Sequence, residues 1–317
     1  MLENIIFSLN ATMPVFLMMV VGYVLKKIKF LDENANNVIN RIVFRIFLPA
    51  LLFMDMEKSD LKTIWDGKMV LFCLIATAVS ILISCIFSLS DKNKHERGEL
   101  IQGAFRSGAA TLGIAFMMNI YDDATTIALM IMGSVPLYNV ASVIILCLTS
   151  PETEKMGSKK EILKRTVKET VTNPIILSIF AGILWSLLHL PHITIMEKSL
   201  NYLGNMASPL ALIVLGATFE FSEAEEKKKQ IFGIVFMKLF FFCIVFLPVA
   251  VQMGFRNDKL VAILIMLGSA TTSSSFIMAK NFGHKGMITA GAVMFTTLLS
   301  SFTLALWLFI LKNMALI

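Results

Sequence analysis

Charge is scarce in this chain. Asp, Glu, Lys and Arg make up 16% of its 317 residues and apolar residues 56%, too little polar surface to cover a water-soluble body of that size. Carboxylates are scarcest inside the long apolar runs: none lies well within one, and Asp55 and Glu220 stand at run ends. That makes a buried carboxylate proton relay hard to build. The four histidines (His95, His189, His192, His284) fall in loops or at run ends. The four cysteines (Cys73, Cys85, Cys147, Cys243) lie inside apolar runs without C-x-x-C spacing. Buried free thiols are therefore expected, and no metal or cofactor. The sequence holds no HExxH, no buried acid pair and no nucleophile–base arrangement, so an enzyme is not expected. Its first lysine, Lys26, follows the first apolar run, the wrong order for a cleavable signal peptide.

What remains is a series of apolar runs between short charged loops, each run long enough for a membrane helix. Ten spans are read, near 5–25, 37–56, 67–89, 99–120, 124–149, 171–190, 197–219, 231–254, 258–281 and 286–311. Seventeen Lys and Arg fall in the odd-numbered loops and seven in the even-numbered loops and the termini. The odd loops are thus expected in the cytoplasm and both termini outside, in a cell membrane crossed many times. Orientation accounts for the net charge of +6, and no nucleic-acid partner is expected.

The chain also matches itself at an offset of 160 residues: Pro14, Gly22, Pro49, Gly108, Ala110 and Thr111 recur as Pro174, Gly182, Pro209, Gly268, Ala270 and Thr271. Residues 1–149 make a first repeat of five spans, 150–170 a lysine-rich cytoplasmic linker and 171–317 a second repeat of five. An odd number of spans inverts the second repeat, the build of many secondary transporters. At matched mid-span positions lie Ser107 to Gly113 and Leu267 to Ser275, both rich in Gly, Ser and Thr. Such clusters either pack helices closely or let a helix open, with hydroxyls satisfying the freed backbone. Occurring twice at equivalent positions, they point to opened helices whose half-helix dipoles suit a polar or anionic substrate.

Four cations lie within spans: Arg41, Arg45, Arg106 and Lys238. Arg41 and Arg45 either snorkel to the headgroups or face a cavity. Lys238 either contacts substrate or caps carbonyls at the ninth-span break. Asn139, three residues past Pro136, either bonds a neighbouring helix or reaches substrate. Buried positive charge without buried negative charge favours an anion. Coupling to Na⁺ through Ser, Thr and Asn oxygens, coupling to H⁺ and simple uniport all stay open.

Several segments together resemble the auxin efflux carrier family, over nearly the whole chain. They are Asn40 to Phe53 (NRIVFRIFLPALLF), Gly103 to Gly113 (GAFRSGAATLG), Val135 to Val140 (VPLYNV), Asn173-Pro174, Pro209 to Ala217 (PLALIVLGA), Lys238 with Pro248, and Val293 to Leu308. The family includes plant PIN-FORMED carriers and bacterial permeases assigned to malate and malonate. The resemblance implies an all-α membrane protein of ten helices in two inverted repeats, with helices four and nine broken and crossing, like the sodium/proton antiporters and bile-acid symporters. It implies a scaffold from spans one, two, six and seven, a mobile transport domain from three to five and eight to ten, and a homodimer. Gly108 stands where members often carry Asn, and Ala115 where they often carry Pro.

The expectation is therefore a carrier of a small organic anion such as malate or malonate, working elevator-fashion among membrane lipids. Substrate would meet Gly108, Ala109, Ala110, Thr111, Asn139, Gly268, Ser269, Ala270, Thr271, Thr272 and Ser273, with Arg106, Lys238 and Arg45 offsetting its charge. A transporter-like sensor that binds a small ligand or lipid, and an auxin-like aromatic acid carrier, are the alternatives.

Overall fold

The computed structural model describes residues 2–57, 66–121, 125–155, 158–188, 190–191 and 193–317, and no strand occurs among them. His189 and His192 lie outside the described residues. The first half holds α1 (Leu2–Lys27), α2 (Glu33–Glu57), α3 (Gly67–Ser88), α4 (Arg97–Phe105), α5 (Ala109–Tyr121) and α6 (Thr125–Thr149). After α7 (Lys159–Val171) come α8 (Pro174–Leu187), α9 (Thr194–Thr218), α10 (Phe221–Glu226) and α11 (Lys228–Gln252). The chain ends with α12 (Asn257–Gly268), α13 (Ser273–Asn281) and α14 (Met287–Asn313).

Among the described residues, seven stretches are long and apolar enough to cross a membrane: α2, α3, α6, α9, α11, α12 with α13, and α14. Short polar caps start several helices by accepting backbone N–H groups that the first turn leaves unpaired. Asp32 accepts from Ala35 at 2.7 Å, Asp66 from Lys68 at 3.0 Å, and Asn173 from Ile175 at 3.0 Å, just ahead of Pro174 at the first position of α8. The basic helix α7 bends away from α8 by 46° at Thr172-Asn173.

Two helices carry one π-helical turn each, Val43–Phe47 in α2 and Met237–Phe241 in α11. A π turn inserts an extra residue and re-aims the side chains beside it. One turn holds Arg45 and the other Lys238, and the indole of Trp307 donates to the carbonyl of Leu239 in the second turn at 3.0 Å.

The two most extensive helix packings join the halves: α1 against α9, and the end of α2 against α8. Both depend on glycine. A Cβ on Gly22 would sit 2.1 Å from the carbonyl oxygen of Ile213, and one on Gly182 would sit 2.6 Å from that of Phe53. Shifting Gly22 and Phe53 by the 160-residue offset gives Gly182 and Ile213, so the two contacts exchange under that offset. In lipid, such small-residue contacts supply the close approach that drives helix association.

The deepest element is α12, buried from Leu260 to Gly268 and surrounded by α5, α6, α11 and α14. A helix apolar on every side is stable only inside a bundle or in lipid. Leu177, Phe180 and Leu184 of α8 face outward instead, an apolar stripe at helical spacing.

Candidate functional site

Both Gly/Ser/Thr clusters open their helices. The chain is extended at Arg106 between α4 and α5, and again at Ser269 and Thr272 between α12 and α13. Neither break contains a proline, so the opening does not depend on one. The freed backbone is satisfied across the gap. The amide of Gly108 donates to the carbonyl of Ala270 at 2.9 Å, and the hydroxyls of Ser107 and Ser269 meet at 2.5 Å. Thr271 donates its hydroxyl to the carbonyl of Gly103 at 2.8 Å and its amide to the hydroxyl of Thr296 at 3.0 Å. Gln102 donates to the carbonyl of Ser275 at 2.9 Å. A Cβ on Gly108 would stand 3.4 Å from the Ala270 oxygen, an ordinary van der Waals contact.

A cavity of about 80 Å³ lies on one side of this crossing. Gly108 and Ala270 to Ser273 form its floor, Val15, Ser208 and Leu212 face them, and Val293 and Thr297 of α14 close it. Backbone groups, hydroxyls and aliphatic carbons line it, with no ionised side chain among the described residues.

The cations stand behind this wall. Arg106 is buried; its Nη2 donates to Ser274 Oγ at 2.9 Å and to Asn139 Oδ1 at 3.1 Å, and its Nη1 rests on the Met278 sulfur. Among the described residues its Nε has no hydrogen-bond partner, and its acceptors are neutral. Asn139 donates its amide to the carbonyl of Val135 at 2.9 Å, so both ends of that side chain are engaged away from the cavity. Lys238 donates to the carbonyls of Met266 at 3.2 Å and Leu267 at 3.1 Å. It therefore caps the last turn of α12, where the helix dipole is negative. Of the two roles open to Lys238 in the sequence, the structure displays the cap. Arg41 and Arg45 are exposed on α2, and neither is among the residues that line the cavity.

The remaining sequence candidates divide in the same way. Ala109 is buried in the first turn of α5, Ala110 is half-buried, and the side chain of Thr111 lies outside the described residues. Gly268 packs on Cys243, where a Cβ would sit 2.8 Å from the sulfur. Ser269 serves the inter-break hydroxyl pair. The structure adds Ser274, which links Arg106 to the cavity wall, together with Ser208 and Thr297 on the opposite wall. Their hydroxyls were visible in the sequence, but the helices that bring them together are far apart along it.

A second, larger cavity of about 460 Å³ opens at the end of the bundle formed by the C-termini of α1, α9 and α13. Lys26 and Glu220 pair there at 3.1 Å, near Asp32, Glu33, Lys280 and Lys285. Deeper along the same wall, Asn36 donates to the hydroxyl of Thr218 at 2.8 Å. Nearby, the buried carboxylate of Glu99 accepts from the amides of Gly286 at 2.8 Å and Thr289 at 3.0 Å, which anchors the start of α14 to α4.

Comparison with known proteins gives one consistent picture. A family model described as membrane transport protein matches residues 7–308. The chain is 22% identical over 318 residues to a "Putative malonate transporter" of Rhizobium meliloti, covering 96% of each. It is 21% identical to an "Uncharacterized transporter" of Methanothermobacter thermautotrophicus, covering 95% of this chain and 97% of that one. It is 22% identical to the "Uncharacterized transporter YfdV" of Escherichia coli strain K12, covering 96% and 98%. Among solved structures it matches the sodium proton antiporter MjNhaP1 of Methanocaldococcus jannaschii with a TM-score of 0.63 at 13% identity, over 96% of this chain and 97% of that one. That likeness is one of fold.

Proposed function

Because this chain belongs to the membrane transport protein family, that of the auxin efflux carriers, we propose that it carries a small organic anion across a cell membrane by alternating access. The observation that carries this reading is the cavity at the crossing of the two breaks, walled by backbone, hydroxyl and aliphatic groups, with Arg106 behind it paired to no acid among the described residues. A buried cation without a buried partner favours an anion nearby. A carboxylate fits the wall chemistry, and the Rhizobium meliloti relative is named for malonate. Family and relatives point to a transporter rather than an enzyme.

The proposed architecture is ten crossings in two inverted repeats, with α4–α5 and α12–α13 as the broken, crossing pairs. The exchanged contacts Gly22–Ile213 and Gly182–Phe53 support it, because a two-fold relation requires each inter-repeat contact to have a swapped twin. In this reading α1, α2, α8 and α9 are the scaffold, and α3–α6 with α11–α14 are the moving body. Six ties from α4 and the break after it, at Glu99, Gln102, Gly103, Arg106, Ser107 and Gly108, bind that body together. The cavity lies where Val15, Ser208 and Leu212 of the scaffold meet the crossing, so sliding the body against the scaffold would carry a bound anion between faces. The larger charged cavity is then the cytoplasmic vestibule, with both termini outside, and the exposed apolar stripe of α8 faces lipid or a second copy.

The test is uptake of labelled malonate, malate and indole-3-acetate into proteoliposomes holding the purified protein, with and without Na⁺ and pH gradients and an imposed potential. Saturable uptake is expected for at least one acid, and the gradient dependence names the driving force. Saturable binding with no uptake under any gradient would overturn the carrier and favour a sensor.

A further inference from the structure

We propose that Arg106 acts through Ser274 to orient the hydroxyl of Thr272, so that the crossing cavity presents a hydrogen-bond donor and selects a deprotonated carboxylate over a cation or a neutral acid derivative. The inference rests on the reading of that cavity as the substrate site.

The argument is one of proton counting. A guanidinium donates hydrogen bonds and accepts none. Arg106 Nη2 lies 2.9 Å from Ser274 Oγ, so Ser274 is the acceptor in that contact. Ser274 has a single hydroxyl proton, and the other side-chain oxygen beside it among the described hydrogen bonds is Thr272 Oγ1, at 3.1 Å. Giving that proton a partner makes Ser274 the donor to Thr272 in this scheme. Thr272 accepts, and its own proton is left over. That residue is half-buried and lines the cavity.

Thr272 is also free of the task its position usually assigns. It is the residue before the first turn of α13, where a threonine hydroxyl commonly accepts a backbone N–H. Here the side chain makes no such bond, and the carbonyl of Thr272 takes the Ser275 amide instead at 3.0 Å. The hydroxyl thus belongs to the relay rather than to the helix cap. Two further features act in the same sense. Asn139 Oδ1 holds the guanidinium from the other side at 3.1 Å, with its own amide fixed on Val135. The N-terminal end of α13, positive in its dipole, lies beside the same wall.

A carboxylate oxygen in the cavity accepts the Thr272 proton. A sodium ion there would meet a proton, the positive end of a helix and Arg106 two hydroxyls away. Any cation coupling then has to use another part of the protein. Arg106 is a positioning residue in this scheme, since it reaches the substrate only through Ser274 and Thr272.

The test uses the full chain in proteoliposomes, with labelled malonate as the probe and malonamide as a neutral competitor. Ser274→Ala is expected to raise the malonate KM about tenfold, the scale of a hydrogen bond to a charged group, while malonamide inhibits nearly as before. In a Thr272→Val background Ser274→Ala is expected to add nothing, because both changes interrupt one relay. Thr272→Ser, which keeps the hydroxyl, retains the wild-type preference and shows that the site tolerates substitution. Equal additive effects of Ser274→Ala in both backgrounds, or equal losses for malonate and malonamide, would overturn the relay while leaving the carrier intact. Wild-type protein that neither binds nor moves malonate would overturn the site reading and the relay together.

Discussion

The amide of Gly108 donates to the carbonyl of Ala270 across 2.9 Å, which joins the break in one half of the chain directly to the break in the other. Each opened helix satisfies part of the other's unpaired backbone. Neither opening would be stable alone in an apolar surrounding, where an unpaired amide or carbonyl costs several kcal/mol by the order of magnitude. The substrate cavity proposed above is a by-product of this mutual repair, since its floor is the pair of breaks.

Gly22 and Gly182 carry the first prediction. Gly22→Val and Gly182→Val would each place side-chain atoms inside the backbone of the facing helix. Each is expected to destabilise the protein by about 1–3 kcal/mol, the usual range for overpacking, read as a lower Tm in detergent. Similar losses for the two are expected from the repeat. A wild-type Tm in both variants would refute the close packing.

Lys238 gives the second. Lys238→Met leaves the carbonyls of Met266 and Leu267 without the donor that caps α12. The expected loss is about 1–3 kcal/mol, the cost of leaving a buried polar group unpaired. Tm should fall, while the surviving protein keeps its substrate KM. An unchanged Tm with a raised KM would mean that Lys238 touches the substrate instead.

The third concerns pH. In the loop before α11, a hydrogen bond from Lys227 to Glu96 at 2.7 Å raises the lysine above its usual value of 10.5. A group whose folded value is raised gives its full stabilisation below the unfolded value and loses it as pH rises through the folded one. The Tm gap between wild type and Lys227→Gln should therefore be widest below pH 10.5 and close above it. A gap that widens at alkaline pH would contradict the pairing.

The fourth tests orientation. Cys73, Cys147 and Cys243 are buried and Cys85 is half-buried, so an introduced thiol stands out against a low background. Lys285→Cys, on the wall of the large cavity, is expected to react with a charged, impermeant thiol reagent in inside-out vesicles and not in intact cells. Reaction in intact cells would reverse the proposed orientation.

Much of the site was legible because its composition is unusual for a membrane span. Gly, Ser and Thr clustered at matched positions of two repeats marked both breaks, which the structure places at Arg106 to Gly108 and Ser269 to Thr272. The division of labour within the site was not legible. Asn139 and Lys238 each admitted a structural and a substrate role from sequence, and Arg106 was read as offsetting substrate charge. Only the distances from Arg106 to Ser274 and from Lys238 to Met266 and Leu267 separated them. Ser274 escaped notice because one hydroxyl in a run of five consecutive serines and threonines has no distinguishing local signal.

The sequence by itself determined that the chain lives in a membrane and is made of helices, because apolar runs of that length leave no other way to satisfy the backbone. It also showed prolines and glycines recurring 160 residues apart, the pattern on which the proposed repeat rests. Tertiary structure alone decided which face of each broken helix meets the other, which cation caps and which rests on neutral acceptors, and which hydroxyls line the cavity. Those outcomes depend on the rotation and depth of helices far apart along the chain, and in lipid small contacts such as Gly22 on Ile213 set them, contacts that no local stretch of sequence encodes.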